Sequence, residues 1–289
     1  MSTESHTDYC AEQVRAYDYN RYFAATFAPY PVRRGLTALY AFNLEIASVR
    51  ERVSEFLLGE MRLQWWRETV EGIYQGTVRN HAVVEELAWA IGEFDLPRKN
   101  FDRMIDGRMF DLGDAPPEDF QALEKYISAT AGELVCLALA VCGLPEGRER
   151  GEHVGRIWGM AGVLRALPYH AAQRRIYLPN DLLRAQCLAV EGIIERKPGA
   201  DPSPVVRIVV DRIWGIAAST DRLPSKIRPA VSYVAIATAY LHRLEKAGYD
   251  VYAPGLEPTR FGGQLRILRT AWTGADYSAA TVGFCQVSR

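Results

Sequence analysis

The feature that most constrains the fold of this chain is the helical spacing of its apolar residues. Between positions 33 and 55, Leu36, Leu39, Tyr40 and Ile46 fall on neighbouring helix faces, and alternating strand patterns are hard to find anywhere. Helices are predicted over 33–55, 58–74, 81–94, 98–112, 149–170, 205–220, 226–246 and 265–272, and a further long helix ends near residue 142. The pattern predicts an all-α protein without internal repeats or a dividing linker.

Charge and cysteine usage exclude several classes of protein. The 289 residues include 34 Lys and Arg against 35 Asp and Glu, a net charge of −1. Because nucleic-acid binders usually carry a strong basic excess, we expect no nucleic-acid partner. Scattered cysteines without zinc-binding spacing predict reduced, mostly buried thiols in a cytoplasmic protein. They are Cys10, Cys136, Cys142, Cys187 and Cys285.

The hydropathy of the chain predicts no membrane insertion. The longest apolar run, 134–144, has 11 residues, whereas a spanning helix needs about 20. The polar stretch 1–9 lacks the pattern of a signal peptide. Membrane contact would therefore be peripheral, at the inner face, and the pairs Arg33-Arg34 and Arg174-Arg175 are weak basic signals for it.

Five blocks of sequence stand out from the helical background. They are 39–45 (LYAFNLE), 61–68 (MRLQWWRE), 94–97 (FDLP) with 106–107 and 111–112, Tyr126 with 131–132, and 164–165 with 175–179 (RIYLP). In this order and spacing they resemble the squalene/phytoene synthase family, over about residues 19–272. The resemblance implies one domain over 1–289 with a tail at 273–289, folded as an isoprenoid-synthase-like helical bundle around a central apolar cavity.

The resemblance can be tested at the metal site of the family. Its enzymes join two prenyl diphosphates and use two Asp-x-x-x-Asp pairs, because Mg²⁺ must neutralise the leaving diphosphate and needs hard oxygen ligands. Counted from the matching blocks, the first pair falls on Ala47 and Glu51, and the second on Ala166 and His170. A basic residue of the enzymes falls on Leu44. Alanine supplies no oxygen ligand and histidine suits Mg²⁺ poorly, so we expect no metal, no cofactor and no catalysis.

Other family positions are retained. Tyr40, Tyr126 and Arg165 match positions that line the active cavity of the enzymes, and Asp111 matches a family aspartate. With Leu44, these residues are candidates for the cavity wall. The alternative is that they pack and hydrogen-bond within the bundle, because buried Tyr and Arg need partners in any case.

The remaining charged and aromatic residues have less specific interpretations. His170, at a predicted helix end, is interpreted as a structural hydrogen-bonding residue rather than a catalytic one. Two acidic groups either form solvated faces or replace the metal site: Glu45, Glu51 and Glu55, and Asp102, Asp106 and Asp111. The tryptophans are interpreted as bundle core; they are Trp65, Trp66, Trp89, Trp158, Trp214 and Trp272.

The departures from the enzymes point to a particular branch of the family. The strings 42–47 (FNLEIA), 59–66 (GEMRLQWW) and 164–170 (LRALPYH) resemble a branch that lacks both aspartate pairs and includes a mitochondrial assembly factor of respiratory complex I. The resemblance implies a non-catalytic protein whose partners are complex I subunits or assembly intermediates. Two alternatives are a prenyl transferase with Mg²⁺ at a rearranged site of Glu51, Asp111 and Asp106, and a protein that binds an isoprenoid or lipid ligand.

Overall fold

Every regular element that the computed structural model describes, over residues 3–53, 55–220 and 224–274, is helical. The helices are α1 (Thr3–Tyr17), α2 (Tyr19–Ala25), α3 (Tyr30–Ala47), α4 (Val49–Arg52), α5 (Phe56–Tyr74), α6 (Ala82–Phe94), α7 (Arg98–Arg108), α8 (Phe120–Ile127), α9 (Glu133–Val141), α10 (Arg148–Ala172), α11 (Asn180–Ala185), α12 (Val190–Ile194), α13 (Ser203–Ala218), α14 (Arg228–Val231), α15 (Val234–Lys246) and α16 (Arg260–Thr273). Short 3₁₀ turns span Met109–Leu112 and Ser225–Ile227, and a π turn spans Ser128–Gly132. The all-α prediction is confirmed.

The long helix α10 organises the bundle. It packs against α8, the π turn, α9, α13 and α15, while α3 packs against α1, α6 and α9. The first helix predicted from apolar spacing begins at residue 33. The structure has an earlier helix, α1, which packs against α3 and α6 and buries Cys10 and Val14, four residues apart. The rest of α1 is mostly polar, which hid its short apolar face from the sequence pattern.

The single helix predicted over 33–55 is wrong. The α3 helix ends at Ala47, where the Ser48 hydroxyl donates a hydrogen bond to the Leu44 carbonyl at 2.7 Å. Such side-chain bonds compete with the helical backbone ladder. After the short α4, Val53 is extended (φ −128°, ψ 144°), and α5 begins at Phe56. This break places the first former metal position and its partner on two different helices.

The long helix predicted to end near residue 142 is also interrupted. The π turn separates α8 from α9, and the Thr130 hydroxyl donates to the Tyr126 carbonyl at 2.8 Å. Here α10 approaches closely: a methyl group at Gly155 would lie 2.5 Å from the Gly132 Cα. Single π turns inside helices are frequent at functional sites, and this one contributes two residues to the wall of a cavity.

The cysteine and tryptophan predictions are partly right. Burial raises the pKa of the Cys10, Cys136 and Cys142 thiols to about 12, whereas Cys187 is exposed. Cys285 and the tail from residue 275 lie outside the described residues. Trp66 is fully buried, and Trp65, Trp89, Trp158 and Trp214 are partly buried against the core. Trp272 is not a core residue, because its side chain stands on the outer surface of α16.

None of the helices in the described ranges is both long and apolar enough to cross a membrane.

Candidate functional site

A cavity of about 230 Å³ lies between α3 and α4 on one side and α10 on the other. Its wall is formed by Arg21, Asn43, Ala47, Arg50, Glu51, Arg108, Asp111, Tyr126, Ile127, Thr130, Ala131, Trp158, Gly159, Gly162, Val163, His170, Arg175 and Tyr177. The expected apolar character is wrong for this cavity. Four arginines from separate parts of the chain converge on it, which no periodicity within one helix could indicate.

Three of the four former metal positions lie on this wall. Ala47, Glu51 and His170 line the cavity, and Ala166 does not. The two sides are joined by the Tyr169 hydroxyl, which donates to Glu51 Oε1 at 3.2 Å. Ala47 and Ala166 carry no side-chain oxygen, so these positions do not fit a pair of magnesium ions, which take most of their protein ligands from carboxylates.

Asp111 is held by a closed set of donors. Its Oδ1 accepts hydrogen bonds from the Tyr126 and Tyr177 hydroxyls, each at 2.8 Å. Its Oδ2 accepts from Arg108 Nη1 at 3.0 Å. Burial, and after it the Asp111 carboxylate, raises the pKa of both tyrosines, so they remain protonated donors. A carboxylate with three donors, one of them cationic, is suited to hold the wall together rather than to bind a metal.

His170 and Arg175 form the part of the wall next to this cluster. The His170 ring lies 4.6 Å from the Tyr177 ring, and its Nδ1 is buried without a hydrogen-bond partner. Burial, assisted by the Arg175 charge, lowers the pKa of His170 to about 4, so the imidazole is neutral at physiological pH. Arg175 is buried and donates to the Asp111 carbonyl at 3.4 Å. A neutral imidazole beside a buried guanidinium is poorly suited to bind a cation.

The other three candidates for the wall lie elsewhere. Tyr40 is buried in the core, and its hydroxyl donates to the Ala230 carbonyl at 3.4 Å. Leu44 is partly buried against the core cluster. Arg165 Nε donates to Glu257 Oε1 at 2.7 Å, near the surface. These three residues make the packing and hydrogen-bonding contacts of the alternative interpretation.

The acidic residues considered as a replacement metal site are not brought together. Glu45 accepts from Arg52 at 2.9 Å, Asp102 pairs with Arg98, and the exposed Asp106 pairs with Arg67. Within the described part of the chain, no group of three His, Cys, Asp or Glu side chains is placed to hold a metal ion. Asp106 in particular is absent from the wall that carries Glu51 and Asp111.

Sequence reasoning missed several residues of the wall. Asn43, Arg175 and Tyr177 stand inside the matching blocks, yet the pattern of the blocks assigns them no role. Arg21 and Arg50 lie outside those blocks, and their ion pairs with Asp18 and Asp114 keep them in place beside the cavity. The position of Asn43, Arg175 and Tyr177 inside the matching blocks could have indicated a role for them. No feature of the blocks could have indicated Arg21 or Arg50.

The helical bundle with a cavity facing its central helix defines an all-α protein of the isoprenoid synthase fold. A solved dehydrosqualene synthase superimposes with a TM-score of 0.81 at 16% identity, covering 98% of each chain. Residues 14–272 match the squalene/phytoene synthase family, and the chain belongs to this family.

Relatives within the family differ in their named roles. The chain is 30% identical to the mouse (Mus musculus) NADH dehydrogenase (ubiquinone) complex I, assembly factor 6, covering 91% of this chain and 81% of that one. It is 26% identical to a phytoene synthase from Rhodobacter capsulatus, covering 86% and 76%.

Proposed function

We propose that the protein is a non-catalytic member of its family that acts in the assembly of respiratory complex I, without a metal cofactor. The observation that carries the proposal is the state of the former metal site. The metal positions Ala47 and Ala166 have no side-chain oxygen, and Asp111, which matches a separate family aspartate, accepts from three donors. The similarity to assembly factor 6 of complex I supports the biological role.

The cavity at the former metal site is not suited to be the site of either alternative. Transfer of a prenyl group requires neutralisation of the leaving diphosphate, and Glu51 and Asp111 do not form a magnesium site with Asp106. An isoprenoid ligand needs a mostly apolar pocket, commonly of at least about 300 Å³. This cavity is smaller, at about 230 Å³, and includes four arginines. If the protein has the proposed function, its partners are complex I subunits or assembly intermediates, which it meets at the inner face of the membrane.

The biological role is tested by deleting the gene and measuring NADH:quinone oxidoreductase activity in isolated membranes. We expect the activity and the amount of assembled complex I to fall together and to return with the wild-type gene. The Glu51→Gln variant should restore both fully, because the amide oxygen still accepts the Tyr169 hydrogen bond. Normal complex I in the deletion strain would contradict the proposal.

The absence of catalysis is tested separately with purified protein, farnesyl diphosphate and Mg²⁺, with and without NADPH. We expect no release of diphosphate above background. Magnesium-dependent release that disappears in Glu51→Gln would show that the cavity is an active site after all. The same Glu51→Gln variant is tested for complementation of the deletion strain. The two assays together therefore distinguish a loss of catalysis from a loss of complex I assembly.

A further inference from the structure

The outer face of α16 presents an uninterrupted stripe of large apolar side chains. Phe261, Leu265, Leu268 and Trp272 are 70%, 49%, 38% and 81% exposed. Their spacings of four, three and four residues place them on one face of the helix. Scattered exposed apolar residues are ordinary, but a contiguous stripe of this kind marks a surface that meets another phase or partner.

The stripe is part of a firmly seated helix rather than a frayed end. On the opposite face, Gly263, Ile267 and Thr270 are buried, and α16 packs against α2, α14 and α15. The Thr259 hydroxyl caps the first turn by accepting from the Gly262 N–H at 3.2 Å. Because the opposite face of α16 already packs against the bundle, the apolar stripe faces outward.

The charged residues within α16 all have one sign. Arg260, Arg266 and Arg269 are exposed and flank it on both sides, and α16 contains no Asp or Glu. Among the described residues, none of these arginines has a carboxylate partner within ion-pair distance, and Arg260 lies over the Tyr19 ring at 4.2 Å. Arginine stems can lie along an apolar phase while their guanidinium groups reach its charged boundary.

We propose that α16 is a docking site for an anionic lipid surface. A helix that lies in a membrane interface buries Phe, Leu and Trp among the acyl chains and places arginines at the headgroups. Tryptophan is favoured at this boundary because its ring is apolar and its N–H is polar. The basic pairs considered from sequence are less suitable, because Arg34 is paired with Glu86 and Arg175 is buried.

A second exposed apolar patch provides a contrast within the same molecule. At the start of α5, Leu57 and Met61 are 63% and 61% exposed. Their neighbours include Glu55 and Glu60, which an anionic surface would repel, and the adjacent Arg62 is paired with Glu45 at 3.5 Å. The two patches have comparable apolar exposure and differ in charge, so the α5 patch is a matched control for lipid binding.

The test is cosedimentation of the purified full chain with vesicles of phosphatidylcholine, with and without about 30% phosphatidylglycerol. We expect binding to the anionic vesicles that weakens as salt is raised. Leu265→Gln with Trp272→Gln should lower the binding at least about tenfold, because two large apolar side chains no longer enter the interface. Arg266→Gln with Arg269→Gln should lower it about 30-fold, at about 1 kcal/mol for each arginine.

The control, Leu57→Gln with Met61→Gln, should bind the anionic vesicles as tightly as the wild type. Circular dichroism and urea unfolding check that each variant is folded. Three results overturn the proposal: no binding of the wild type to anionic vesicles, equal loss in the control, or unchanged binding of the stripe variants. If the stripe variants instead convert a dimer to a monomer in solution while vesicle binding is absent, the occupant is a second copy.

Discussion

Replacing Asp111 by asparagine separates a structural role of the cavity wall from a catalytic one. The side chain is buried, and asparagine keeps its size while removing the charge. The Arg108 guanidinium then loses the carboxylate that it contacts at 3.0 Å. Its remaining contacts are the Tyr126 hydroxyl at 3.2 Å and the Asn43 amide oxygen at 3.4 Å, both neutral.

The expected cost follows from the burial of the guanidinium. Breaking a buried ion pair by removing one partner costs about 3 to 5 kcal/mol, because it leaves an uncompensated charge. Here the neutral contacts of Arg108 and one retained tyrosine bond to the amide oxygen reduce the loss, so we expect about 3 kcal/mol. Asp106→Asn removes an exposed partner of Arg67 and should cost less than about 1 kcal/mol.

The free energy of unfolding is measured by urea titration of both variants and the wild type, with equal m-values as the condition for comparison. Adding Arg108→Met to Asp111→Asn should recover part of the loss, because it removes the unpaired charge. An Asp111→Asn protein within about 0.5 kcal/mol of the wild type would refute the structural role. Increased stability would instead be typical of a carboxylate retained for function at a cost to stability.

Three further variants test the cavity wall and the long helix α10. Folded His170 has a pKa of about 4 against 6.5 when unfolded, so the unfolded chain binds more protons between these values and stability falls as pH drops through this window. Between pH 7 and 4.5 the wild type should lose on the order of 1 to 2 kcal/mol more than His170→Gln, allowing for partial solvent access, and parallel curves would contradict this. Gly155→Ala should cost about 2 to 3 kcal/mol because its methyl group meets Gly132 at 2.5 Å. Gly162→Ala on the same helix meets nothing within 4 Å and should be neutral or stabilising by about 0.5 to 1 kcal/mol in the same thermal or urea assay.

Many of the helices could be predicted from the sequence, because the apolar spacing that indicates a helix involves residues close together in the chain. The predicted helix over 149–170 corresponds to Arg148–Ala172, and the one over 81–94 to Ala82–Phe94. The errors occur where a tertiary or side-chain effect overrides periodicity. The Ser48 hydroxyl bond accompanies the end of α3, and the close approach of α10 at Gly155 accompanies the π turn.

The cavity was less accessible, because its chemistry depends on side chains that meet across long stretches of sequence. The matching blocks located Glu51, His170 and Asp111, and all three lie on the wall. They did not indicate that Arg21 and Arg50 come to the same place, since each is positioned by the packing of its own helix and by an ion pair, which for Arg50 reaches Asp114, 64 residues further along the chain.

Helical spacing was enough to predict the all-α class, and the resemblance of the five sequence blocks to a known family was enough to identify the family and the loss of oxygen ligands at Ala47 and Ala166. The enclosure of Asp111 by three donors and the polar character of the cavity emerge from the packed bundle. So does the outward position of Trp272, although tryptophan in a helical bundle is most simply assigned to the core. The physical reason is that periodicity shows which residues share a helix face, whereas the packing of the whole bundle decides what that face meets.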